Sequence, residues 1–356
     1  MDGKPDLFGD FDYFVSDPFR PEDLERAYKA LSDQVERRDF LKKAGRVVGG
    51  LALAASLGSL ASCARKEGTA MRPGTAPSTI PASPAAGPGP ADLGIAMGQD
   101  AATLTRKAVD AIGGMGRFVK PGNLVVIKPN ASFFGGIETA TSTHPEVVAS
   151  VVTMCSEAGA KRVIVMDHTL RGAAQACLSS NGIGAAVSRS GGELLAYGAG
   201  DTGHGVDAQI PNATVMRRAN VYPEVLNADV VITVPKAKHH GSAGLSLGMK
   251  NFIGVVTNMS SVHTSDLHRA IADLNTLVRP DLSVIDATII LLGNGPGGPG
   301  PTRAAGTVIA SSDVVAADSY ASTLFGKTAA DVPYILYGQQ AGLGQADLNK
   351  LRIARV

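Results

Sequence analysis

The segment VITVPKAKHHGSAGLSLGMKN, residues 231–251, decides how the chain is read. An apolar run stops at Pro235, two lysines and two histidines follow, and small residues lead on to Lys250 and Asn251. The run 229–234 is β-branched and continuous rather than alternating, which fits a strand covered on both faces. Residues 124–128 (stopped by Pro129), 162–168, 282–287 and 306–311 read the same way. A weaker strand is expected at 213–217 and a short edge strand at 351–354.

Helical periodicity fills the intervals. Residues 103–112 place Leu104, Ala108, Ala111 and Ile112 on one side, and 265–278 do the same with Leu267, Ile271, Leu274 and Val278. Thr143 and Glu146 have capping-box spacing and open a helix to about residue 158. Further helices are expected at 173–180 and, capped by Asp313, at 314–325. Buried strands alternating with helices predict an α/β fold: Rossmann-like, a mostly parallel sheet covered by helices on both faces. A two-lobed version with a cleft between the lobes fits the same pattern.

With 44% hydrophobic residues, the 356-residue chain can build a sizeable core. A net charge of +1 creates no general field for nucleic acid, and 5% aromatics without Trp offer no stacking platform for bases. The cysteines are Cys63, Cys155 and Cys177, with no CxxC, so thiolates alone build neither an iron–sulfur cluster nor a structural zinc site. Cys155 and Cys177 lie in helical, small-residue contexts and read as buried inert thiols.

The first ninety residues read as an address. Arg37-Arg38 followed by Phe40-Leu41-Lys42 resembles a twin-arginine export signal, with Glu36 where Ser or Thr is usual. The apolar run 47–61 is too short to span a bilayer and fits a signal h-region. It ends in LASC, residues 60–63, which resembles a lipobox, so Cys63 is the expected lipidation site. Residues 1–62 are therefore the signal region, 63–92 an Ala/Pro/Gly-rich tether and 93–356 the folded domain. The expected partners of this segment are the twin-arginine translocase and, through the lipid on Cys63, a membrane. The expected location is the periplasmic or cell-surface face. Ala64, in place of Asp, gives no inner-membrane retention signal.

Chemistry gathers after the strands, where open parallel sheets bind ligands. Lys128 and Asn130 follow the first long strand, Asp167 and His168 the second, Lys236, Lys238, His239 and His240 the third, and Asp286 the fourth. Lys236 and Lys238 alternate on an extended segment and clamp an anion as point charges. His239 and His240 face opposite sides if extended, and one functional histidine, His239, is expected. His268, on a helix with Asp273, is the second imidazole candidate; His263 reads as an ordinary surface residue. A helix starting near Ser246 would aim its free N–H groups at an anion and carry Lys250 and Asn251 on its first turns. The loop 293–302 cradles phosphate through Gly295, Gly297 and Gly298, or acts as a lid; it matches neither a P-loop nor a dinucleotide fingerprint. A metal ion is an admissible cofactor, with His239 and Asp167 as ligands. There is no His-Glu-x-x-His helix.

IKPN at 127–130, THPEVV at 143–148, VPKAKHH at 234–240, GMKNFIGVV at 248–256, DLNTLVRPDLSVIDA at 273–287 and GNGPGGPGP at 293–301 together resemble the DUF362 family. The resemblance covers about residues 93–326. It implies no established activity, but it adds weight to Lys128, Asn130, Lys236, Lys238, His239, Lys250, Asn251 and Asp286 as one site. Many relatives carry a ferredoxin-like pair of four-iron clusters; this chain lacks those cysteines, so no cluster is carried over. The architecture is more distantly similar to nickel-dependent lactate racemases, which place Lys and His in a cleft. Three functions follow as expectations. The first is an exported enzyme, redox-related in one version, that acts on a small anion: Lys236, Lys238 and Lys250 hold charge, His239 or His268 moves protons, and Asp286 orients. The others are a non-catalytic lipoprotein that binds an anion, metal or cofactor, and an assembly factor with a vestigial site.

Overall fold

The computed structural model describes residues 89–169, 174–198, 201, 203–263 and 266–356. The arginine pair, the apolar run 47–61, Cys63 and nearly all of the tether lie outside the described residues. The described residues belong to one compact unit.

The unit opens with β1 (Leu93–Met97), α1 (Ala101–Ala111), β2 (Leu124–Pro129), α2 (Pro145–Glu157), β3 (Arg162–His168), α3 (Ala174–Ser180), α4 (Ile183–Arg189) and β4 (Glu193–Tyr197). Next come β5 (Val206–Gln209), β6 (Arg218–Val221), α5 (Pro223–Leu226), β7 (Val230–Val234), β8 (Lys236–His240), β9 (Gly244–Ser246), α6 (Gly248–Asn251), α7 (Met259–His263) and α8 (Leu267–Leu277). The chain finishes with β10 (Leu282–Leu291), β11 (Thr302–Ser311), α9 (Val314–Thr323), α10 (Pro333–Gln340) and β12 (Ile353–Arg355).

The main sheet runs β12-β1-β11-β10-β7-β2-β3-β4, with β8 paired to β10 and β9 paired to β8. The centre is parallel: β2 pairs with β3 and β7, β3 with β4, and β7 with β10. An antiparallel flank, β10-β11-β1, closes one side. The continuous apolar runs follow from burial on both faces. Val125, Ile127, Val163 and Val165 enter one core with Val147 and Val151 of α2. Val126, Ile164 and Met166 enter the other with Ile271 and Leu274 of α8.

Two local expectations are corrected. The weaker strand lies at β6, not at 213–217, and it pairs with β5 in a separate ribbon. The carboxylate of Asp273 takes the backbone N–H groups of Thr214, Val215 and Met216 at 2.8–3.0 Å, so these three residues have no N–H left for a ladder. Helix α2 is capped by His144, whose Nδ1 accepts from Glu146 N at 3.1 Å. Thr143 instead donates to Val234 O at 2.8 Å and accepts from Asn130 N at 2.9 Å, tying the helix entry to the sheet.

The order of the sheet reverses at β2. Strands β3 and β4 lie to one side of it, β7 and β10 to the other. Such a reversal opens a crevice beyond the carboxyl ends of the strands.

Candidate functional site

The site begins where β2 and β3 end. Lys128 Nζ lies 2.6 Å from Asp167 Oδ1, both buried, and also donates to Pro129 O at 2.7 Å. Asp167 further accepts from Ala131 N (2.6 Å), His168 N (2.8 Å) and Ser132 Oγ (3.1 Å). A buried carboxylate held by this many donors has little capacity left for a metal. Gly254 packs over the pair: a Cβ there would sit 2.8 Å from Lys128 Cε and 2.9 Å from Asp167 Oδ1.

Strand β8 supplies the next groups. Its alternation sends Lys236, Lys238 and His240 to one face and Ala237 and His239 to the other. Lys236 is fully buried against Asp286, Nζ to Oδ2 2.9 Å. Asp286 also accepts from His144 N at 2.7 Å and from Thr288 Oγ1 at 2.7 Å. Burial pushes its carboxyl up, but Lys236 and these hydrogen bonds win and hold it below the ordinary value. Lys238 sits over the Phe133 ring, 4.7 Å from the centroid, and donates to Thr141 O. It has no carboxylate partner among the described residues. His240 Nδ1 accepts from Ser242 N and Ala243 N, each at 3.2 Å, which assigns its proton to Nε2.

Helix α6 positions Lys250 and Asn251. It starts at Gly248 rather than Ser246, and the Asp318 carboxylate takes Gly248 N (2.6 Å) and Met249 N (3.0 Å). The helix N-terminus is thus occupied from within, which corrects its expected role as an anion site. A side chain at Gly248 would meet Asp318 Oδ1 at 2.8 Å and Val314 Cγ2 at 2.9 Å. Burial pushes the Asp318 carboxyl up to about 7, and the two N–H groups oppose that. The 2.6 Å contact from Gly248 N favours the ionised form. Asn251 is a saturated hub. Its Oδ1 accepts from Lys128 Nζ (3.1 Å) and Asn130 Nδ2 (2.7 Å), and its Nδ2 donates to Lys128 O (2.6 Å) and Thr233 Oγ1 (3.0 Å). Asn130 Oδ1 in turn accepts from Lys236 N at 2.9 Å.

These elements enclose a cavity of about 270 Å³. Lys128, Lys238, Lys250, His240 and His263 reach it, and among the described residues Asp167 is the one carboxylate that lines it. Phe133, Ile253, Met259 and Pro296 form apolar wall. Burial pushes the Lys238 ammonium down to about 7; Asp167 opposes this, and Lys250, Lys128 and Lys236 add to it. Burial and then Lys128 push Lys250 down to about 8, and its ammonium makes no hydrogen bond or ion pair with a described residue. Burial, reinforced by Lys250, pushes His240 down to about 3, so it is neutral at physiological pH. His263 Nδ1 lies 2.9 Å from Met259 O, which makes Nδ1 the donor and leaves Nε2 as an acceptor. Its ring stacks on His240 with centroids 6.4 Å apart. One wall therefore presents an imidazole donor beside an imidazole acceptor.

Of the residues expected from sequence, Lys128, Asn130, Asp167, Lys238, Lys250 and Asn251 line this cavity. Lys236 and Asp286 form the buried pair described above. His239 turns away: its Nδ1 accepts from Gly295 N at 3.1 Å, so His239 and Asp167 do not converge on a metal. Among the described residues no three His, Cys, Asp or Glu side chains are grouped to hold a metal ion. His268 packs on Tyr334, ring centroids 6.0 Å apart, away from the cavity. The loop 293–301 links β10 to β11 and brings Pro296 to the cavity; Gly295 has no room for a Cβ beside His239 O, and Gly297 abuts Phe133. Gly298 has φ +65° and lies against Thr141. His240 and His263 carry no mark in the sequence beyond parity on β8 and a turn of helix. Cys155 and Cys177 are buried, with burial pushing the thiols up to about 12 and about 11.

A larger groove of about 450 Å³ runs between α1 and α2, lined by Arg106, Asp110 and Glu146. Its ion pairs, Arg106–Glu157 and Arg189–Glu146, are solvent-exposed. The chemistry concentrates in the smaller cavity, where the amines are desolvated.

A family model described as "Domain of unknown function (DUF362)" matches residues 125–323. The chain is 29% identical over 246 residues to thylakoid-associated protein sll1697 of Synechocystis sp., covering 67% of this chain and 74% of that protein. Among solved structures it is similar to the lactate racemase apoprotein from Thermoanaerobacterium thermosaccharolyticum, with 9% identity and a TM-score of 0.37. That match covers 57% of this chain and 51% of the racemase, so the chain spans about half of that protein's length.

Proposed function

The chain belongs to the DUF362 family, and from that premise we propose that the strand-end cavity is an enzyme active site for a small anionic substrate. One observation carries the reading: among the described residues three lysine ammonium groups and one carboxylate line the cavity, and that carboxylate is already paired with Lys128. The uncompensated charge calls for an anion, and about 270 Å³ limits it to a small one. Lys238 holds the anion. Lys250 supplies an amine able to exist in both protonation states near neutral pH. His240 Nε2–H and His263 Nε2 give and accept hydrogen bonds at the reacting centre.

The N-terminal segment accords with export. Residues 1–62 act as a twin-arginine signal, Cys63 takes the lipid and residues 63–92 tether the domain to a membrane face. The description of the cyanobacterial relative as thylakoid-associated is in keeping with a protein held at a membrane.

Calorimetric titration of the full-length chain carrying Cys63→Ser with malonate, phosphate and acetate tests the cavity. Binding of at least one anion at pH 6.5, weakened about tenfold or more by Lys238→Met, is expected for the loss of a charge-assisted hydrogen bond. Equal binding by wild type and Lys238→Met rules the reading out. Turnover assays on the anions that bind separate an enzyme from a carrier.

A further inference from the structure

Two lysines in the cavity have different surroundings. Lys238 is anchored on the Phe133 face and to Thr141 O, so its ammonium is fixed in place as a receptor. Lys250 is buried, lines the cavity and has no hydrogen-bond or ion-pair partner among the described residues. A desolvated amine left without a hydrogen bond is poorly placed as a structural cation and well placed as a nucleophile. Beside it stand His240, with a fixed N–H, and His263, with a fixed lone pair.

Building on the anion-site reading above, we propose that Lys250 forms an imine with a small 2-oxo acid, whose carboxylate is held by Lys238. A 2-oxo acid puts a carbonyl carbon next to the anionic group, which matches one fixed cation and one free amine in a small cavity. His263 Nε2 takes a proton from the Lys250 ammonium. The Nζ lone pair then adds to the carbonyl carbon, and the π pair moves to oxygen, which the His240 N–H steadies by hydrogen bonding. The proton returns from His263 to that oxygen and the nitrogen gives up a second one. The C–O bond breaks, water leaves and the C=N bond forms. Two of the three ammonium hydrogens depart in the water, and the positive charge stays on the imine nitrogen. The apolar wall of Phe133, Ile253 and Met259 favours loss of that water.

The test is reductive trapping. The full-length Cys63→Ser protein is incubated with glyoxylate, pyruvate or 2-oxoglutarate, treated with borohydride and examined by intact mass and peptide mapping, with malonate binding measured in parallel. Expected is a single stable adduct on Lys250 with at least one of the three acids. It should be absent in Lys250→Arg, whose urea unfolding reports whether the fold is kept, and reduced about tenfold or more in Lys238→Met at limiting acid. Malonate binding without any adduct overturns the imine and leaves the anion site standing. Labelling confined to other lysines overturns it as well. Neither binding nor adduct overturns both.

Discussion

Lys236 and Lys250 show how similar side chains take different roles. Lys236 is matched to Asp286 at 2.9 Å with both groups out of water, whereas Lys250 has no partner among the described residues. Removing one member of a buried pair strands the other, so Lys236→Met should lower unfolding stability by about 3–5 kcal/mol, and adding Asp286→Leu should recover much of that loss. Lys250→Met removes an uncompensated buried cation and should leave the empty protein as stable or more so. Urea unfolding of the variants measures both. The titrations carry a definite sign. Lys238 and Lys250 are held at about 7 and about 8 in the fold against ordinary values near 10.5, so the unfolded chain binds more protons between those limits. Stability of the empty protein should therefore rise as pH climbs from about 7 toward 10. Anion affinity runs the other way: it needs the charged amines and should fall by roughly tenfold per pH unit once they deprotonate. Denaturation and calorimetry at pH 6.5, 7.5 and 9 read the two trends.

At the level of elements, the strands that were legible in the sequence are those with continuous apolar runs: β2, β3, β7, β10 and the second half of β11. They reveal themselves because both faces are buried. Strand β8 has no such pattern. KAKHH is buried through an ion pair, a cation–π contact and backbone hydrogen bonds, none of which shows as hydrophobicity. Its alternation still decides the site, since parity brings His240 and not His239 to the cavity. His239→Ala should leave malonate affinity within about twofold, while His240→Ala should weaken it by the worth of a hydrogen bond, about 0.5–1.5 kcal/mol. Helix α6 is only one turn long, and its shape depends on Asp318, distant in sequence, and on Gly248. Asp318→Ala leaves two buried N–H groups unpaired, at about 1–3 kcal/mol each. It should lower unfolding stability and anion affinity together, as denaturant unfolding and malonate titration would show. Gly254→Ala should weaken anion binding by displacing Lys128 from Asp167.

For the whole molecule, the parallel centre of the sheet and its reversal at β2 explain why residues far apart in the chain meet: Lys128, Asp167, Lys238 and Lys250 come from four different elements. The α/β class was legible from runs and spacing; the antiparallel β10–β11 flank was not, because strand direction leaves no mark in hydrophobicity. The lysines at strand ends were legible as a group, but their division into a structural pair and a ligand-facing set depends on side-chain partners. The export reading makes its own prediction: Cys63→Ala should abolish labelling by a palmitate analogue, and Arg37→Lys with Arg38→Lys should block passage across the membrane. The most direct measurement of the central claim is a crystal structure with malonate at pH 6.5. The predicted result is a carboxylate within hydrogen-bond distance of Lys238 Nζ and facing Lys250. Malonate bound only outside the cavity, with water alone between those two amines, would contradict the account.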